Sequence, residues 1–109
     1  MASKQIDLAT AQRLLRTGAF NLIRRGADGS LVMSADRWQL AEVTRDEVRF
    51  AAQPPAPADV ELLVLGLERV ERITWDRLPN QQVRSQVRFH LRGGDLWTFS
   101  GRFEEPGDG

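Results

Sequence analysis

The spacing of hydrophobic positions changes period along the chain. In "DLATAQRLLRTG", Leu8, Ala11, Leu14 and Leu15 recur at helical spacing behind Asp7, whose carboxylate is suited to cap the first turn. Gly18 is positioned as a C-terminal stop. The spacing predicts one short N-terminal helix with a narrow apolar stripe, enough to cover the open side of a sheet.

From Ala19 onward the period is two. "AFNLIRR", the turn "GADG" and "SLVMSA" predict a hairpin with Phe20 and Leu22 beside Ala35 and Met33. "WQLAEV" and "EVRFAA" predict a second, closed around Thr44 to Glu47, with Val43 against Val48 and Glu42 across from Arg49 as an ion pair. "QPPAPAD" then interrupts the pattern, because proline donates no ladder hydrogen bond and restrains the residue before it.

Residues 59 to 78 carry two patterns. Asp59 as a cap, the stripe Val60, Leu63, Leu67 and Val70, and the Glu68–Arg72 spacing suit a long helix. Gly66, the β-branched Val60, Val64, Val70, Ile73 and Thr74, and the unbroken "VELLVL" suit two strands joined or bent near Gly66. The balance favours strands.

The closing stretch alternates most cleanly. Val83, Ser85, Val87, Phe89 and Leu91 take one face and Arg84, Gln86, Arg88, His90 and Arg92 the other. A three-residue "GGD" loop keeps the faces matched, pairing Leu91 with Trp97, Phe89 with Phe99 and Val87 with Gly101. The elements add up to a mainly β, α+β fold: a short N-terminal helix, then six to eight antiparallel strands in a barrel or strongly bent sheet. Residues 1 to 103 form a single globular domain, and "EEPGDG", from 104, reads as a disordered acidic tail.

Composition narrows the chemistry. The absence of cysteine removes disulfides, thiolate nucleophiles and sulfur-based zinc sites. Fifteen basic and fifteen acidic residues cancel, so no long-range positive field gathers phosphates and nucleic-acid binding is disfavoured. Lys4 is the only lysine, a bias that suits a GC-rich bacterial genome. No apolar run reaches the ~18 residues of a membrane span and the N-terminus does not read as a secretory signal, so a cytoplasmic location is expected.

The order of elements resembles the pleckstrin-homology-like superfamily, its GRAM-type and bacterial members above all. The resemblance rests on "WQLAEVTRDEVRFAA", "LVLGLERVERITW" and "VRFHLRGGDLWTFSG" and covers residues 38 to 101. The chain departs from that pattern in having nothing helical after Phe103, and the N-terminal helix is the candidate to take the place of the usual closing one. The resemblance implies a binding or scaffolding module for lipid headgroups, peptides or other subunits.

Catalytic chemistry finds little support. His90 is the sole histidine, with no carboxylate close in sequence. The acids of "TRDEVR" and "LERVER" stand beside arginines that keep them ionised. No nucleotide loop is visible, and no metal or small-molecule cofactor is expected. The candidate partner surface is the stripe Arg84, Arg88, His90 and Arg92, spaced to engage acidic side chains or phosphates, although the same stripe also reads as an ordinary solvated face. Trp97 belongs to the inward set. Trp38 and Trp75 flank loops and read as partly buried lids or, if exposed beside Arg37 and Arg77, as partner anchors. The expected function is non-catalytic binding of a protein partner, with self-association through sheet edges as the alternative and weak acidic-lipid contact as a lesser one.

Overall fold

In a computed structural model of the chain, residues 3–52, 63–78 and 84–104 are described. The helix α1 spans Leu8–Leu15 and begins as expected: Asp7 is extended, and its carboxylate accepts the Thr10 N–H at 2.8 Å. Its end differs. Helix α1 stops at an Arg16 cap of ordinary φ, and Thr17 gives both its N–H and its hydroxyl to the Leu14 carbonyl, so Gly18 is not the stop. Ala11, Leu14 and Leu15 are buried with the sheet's inner side chains in one cluster.

Eight strands follow the order β1-β6-β7-β8-β2-β3-β4-β5, every neighbouring pair antiparallel. They are β1 (Lys4–Ile6), β2 (Phe20–Arg25), β3 (Leu31–Val43), β4 (Glu47–Ala52), β5 (Leu63–Gly66), β6 (Val70–Arg77), β7 (Ser85–Leu91) and β8 (Leu96–Gly101). Among the described residues the ladder ends at β1 and β5 without closing. It is nevertheless strongly curved: Phe50 of β4 lies 4.9 Å from Phe99 of β8, although β3 and β2 stand between those strands in the sheet. Phe20 meets both rings edge-on, at 5.9 and 5.2 Å. These aromatics, with Phe89, Trp97, Leu22, Val48 and Leu65, make the fully buried centre.

Over the described part of residues 59 to 78 the strand reading holds. The bend sits one step beyond Gly66, in a 3₁₀ turn at Leu67–Arg69, and the register shift falls between Val70 and Arg72. That turn ties two parts of the curved sheet together: Leu67 N–H donates to Asp46 and Arg92 N–H to Arg69. "QPPAPAD", Val83 and residues 105–109 lie outside the described residues.

The β3–β4 hairpin has the expected register, Val43 on Val48 and Glu42 on Arg49, with the ion pair at 3.1 Å. Two other registers move, β7–β8 by two residues and β2–β3 by two at Leu22 and three at Phe20. Leu22 pairs with Ala35 but Phe20 with Trp38 and Arg24 with Met33, because β3 is one continuous strand carrying irregularities near Arg37, at φ +62°, and at Val32. Phe89 pairs with Trp97, Val87 with Phe99 and Ser85 with Gly101. The loop has three residues as expected, but they are Arg92 to Gly94: Gly93 and Gly94 take the positive φ values of the turn, and Leu91 N–H bonds the Asp95 carbonyl. A shift of two leaves side chains on their faces, and the bulge near Arg37 absorbs the extra residue so that Phe20 and Trp38 both point inward.

Candidate binding surface

Pairing of β6 with β7 and of β7 with β8 lines up the outward side chains in rows. Arg72, His90 and Leu96 form one, Thr74, Arg88 and Thr98 the next, and Asp76, Gln86 and Ser100 the third. An outward row on a two-sided sheet is ordinarily wet. Here Thr74 and Gln86 are only 8% exposed, and Arg88, His90 and Asp76 are partly buried. Arginine and glutamine stems laid along neighbouring strands cover polar positions in this way.

The electrostatics of the rows follow from that burial. His90 Nε2 and Thr74 Oγ1 stand 3.0 Å apart. Burial pushes the His90 pKa below its ordinary value, the positive charges of Arg72 and Arg88 push it the same way, and Glu71 opposes them. The ring therefore stays neutral at pH 7. Arg88 Nε and Asp76 Oδ1, at diagonal positions on adjacent strands, are both buried and neither has a hydrogen-bond partner. Among the described residues a cationic donor and an anionic acceptor are thus left unsatisfied on one face; Arg24 Nε, Arg49 Nε and Trp75 Nε1 are buried and unpaired elsewhere.

The predicted stripe is brought together only in part. Arg88 and His90 are its centre, joined by Arg72, which the sequence reading passed over although "VERITW" alternates around it. Arg92 serves the fold instead: its Nε donates to the Glu68 carbonyl at 3.1 Å, fastening the β7–β8 turn to the 3₁₀ turn. Arg84 lies beyond the last β7–β8 pair and lines a separate cleft of about 290 Å³ with Arg102, Gly101 and Phe103 on one side and Thr17, Gly18 and Ala19 on the other.

The tryptophans are not surface anchors. Trp38 is 8% and Trp75 4% exposed, and both belong to the core cluster, because Trp38 pairs with inward Phe20 and Trp75 with inward Val87. The Trp75 ring is flanked by Lys4 Nζ and the Arg77 guanidinium, at 5.9 and 5.7 Å. Trp97 is core as expected, with the Arg24 guanidinium 4.4 Å from its ring.

Among the described residues no group of three or more His, Cys, Asp or Glu side chains is placed to hold a metal ion, and no helix is long and apolar enough to cross a membrane. No protein-family model, curated protein or solved structure matches this chain.

Proposed function

We propose that this chain is a non-catalytic interaction module, a pleckstrin-homology-like scaffold that binds a protein partner through the outer face of β6, β7 and β8. The observation that carries the reading is the pair of orphaned groups, Arg88 Nε and Asp76 Oδ1. An unsatisfied buried polar atom costs on the order of 1–3 kcal/mol, and a partner that supplies a carboxylate to the arginines and an N–H to Asp76 recovers that cost on binding. Arg72 and Arg88 give such a partner its acidic preference, and the neutral His90 bonded to Thr74 fixes the row between them.

The test is affinity capture with the immobilised chain followed by quantitative rebinding of the captured protein. Arg72→Glu/Arg88→Glu is expected to weaken rebinding at least about ten-fold, the usual consequence of reversing a partly buried charge contact. Rebinding unchanged by the double variant contradicts the reading.

A second reading, self-association through a sheet edge, is favoured by Val64, which is 43% exposed on the outer side of edge strand β5. Light scattering across a concentration series decides it: a constant monomer mass removes this reading, and a mass that doubles and reverts in Val64→Lys establishes it.

A further inference from the structure

The cleft beside Arg84 has a composition that the fold does not explain. Arg84 and Arg102 each lie one residue beyond the final Ser85–Gly101 pair of the β7–β8 ladder, and both line the cleft. Like charges brought to the wall of one cleft repel. Among the described residues no carboxylate relieves them: neither guanidinium has an ion pair or side-chain hydrogen bond there, and no described acid lines the cleft.

The opposite wall is made of backbone and small side chains. A Cβ on Gly18 would meet nothing within 4 Å, so the missing side chain serves no packing need and instead leaves the cleft open. Gly101 is different: a Cβ there would come within 3.2 Å of Phe103 and 3.4 Å of Phe20, so its floor is tightly packed. Ser85 Oγ donates to the Phe103 carbonyl at 2.9 Å and holds that floor in place. The end of α1 also approaches the cleft through Thr17, but the Leu14 carbonyl is already occupied by the Thr17 N–H and hydroxyl, which limits the negative potential of the helix end.

From these features we propose that the cleft between Arg84, Arg102 and the Thr17–Ala19 backbone is a binding site for a phosphate-type oxyanion carried by a small molecule. Two planar guanidinium groups offer forked donors suited to phosphoryl oxygens, and a bound dianion removes their mutual repulsion. The volume of about 290 Å³ falls just below the range of about 300–1,000 Å³ for ligand sites and suits a phosphorylated metabolite of a few carbons. The site is distinct from the Arg88 row, since Arg84 precedes β7 and lies on the far side of the Gln86 row.

Calorimetric titration of the full chain with inorganic phosphate, against chloride at matched ionic strength, tests it. The wild type is expected to bind phosphate selectively. Arg84→Gln/Arg102→Gln, both at polar surface positions, is expected to weaken binding at least about ten-fold. Gly18→Leu, which fills the cleft and leaves both arginines in place, is expected to do the same, with circular dichroism confirming the fold of each variant. Arg88→Glu keeps full phosphate binding. Glycerol 3-phosphate binding without flotation on vesicles of phosphatidylcholine and phosphatidylserine identifies a soluble source for the phosphate, and flotation lost in both cleft variants identifies a lipid headgroup. Equal response to phosphate and chloride in the wild type, or phosphate binding unaffected by both cleft variants, overturns the proposal.

Discussion

The two faces of the sheet between β6 and β8 use the same strands to opposite ends. Inward, Val87, Phe89, Trp97 and Phe99 are at most 2% exposed, and Phe89 and Phe99 meet at 5.4 Å in an edge-to-face contact. Outward, Thr74, Gln86, Arg88 and His90 are also partly or largely buried, yet two polar atoms there lack partners. Burial on the first face is dominated by apolar and aromatic contact, with the Trp75 indole N–H its unpaired polar atom on β6 to β8. The second face buries atoms of charged groups, Arg88 Nε and Asp76 Oδ1, without partners among the described residues, and that difference in charge separates the two faces.

Substitutions break this contrast in order of size. Phe99→Ala removes a ring that touches Phe20, Phe50, Phe89 and Trp97, and chemical denaturation is expected to show a loss of about 3–5 kcal/mol. Gly94→Val comes next. Its φ of +100° disfavours any side chain, and a Cβ would stand 2.9 Å from that of Ala27 in the β2–β3 turn, so a loss above about 1 kcal/mol is expected. Arg88→Met, on the outer face, keeps the covering stem and deletes the orphaned donor. Its stability should rise by up to about 1 kcal/mol, because the unsatisfied donor is removed, while partner rebinding falls.

The smallest effect is a pH dependence. Because the folded state holds the His90 pKa below 6.5, the unfolded chain binds the proton more readily below that pH. The contribution is therefore fully present above about pH 6.5 and is lost as pH falls toward the lower folded value. Melting temperatures recorded between pH 7.5 and 5 should show a decline that is shallower in His90→Gln. An identical decline in the variant would remove His90 as its source.

How much of this was legible in the sequence depends on what each pattern encodes. Alternation names faces, so the inward aromatics, the strand reading of the described part of residues 59 to 78 and the helix cap could all be read. Alternation does not separate registers that differ by two, which is why Phe89 was matched with Phe99 when it faces Trp97. The turn decides that question, through the positions of Gly93 and Gly94 at positive φ. Strand β1 was missed because a three-residue strand carries too little periodicity to stand out.

The site was legible only along a single strand. Arg88 and His90 could be found because they share β7. Arg72 and Asp76 reach them through pairing with β6, which no local pattern announces. Trp38 and Trp75 looked like loop-edge residues, but their cross-strand partners, Phe20 and Val87, put both indoles inside. The helix end was misread for a related reason: a glycine three residues past Leu15 resembles a stop, whereas Thr17 already satisfies the last turn.

The most direct test of the central claim is backbone-amide NMR of the labelled chain titrated with the captured partner. The account predicts shifts clustered at residues 72–76, 86–90 and 98, which Arg72→Glu/Arg88→Glu abolishes. Shifts confined to residues 63–66, or a set that appears on concentrating the chain alone and does not change when partner is added, would contradict it.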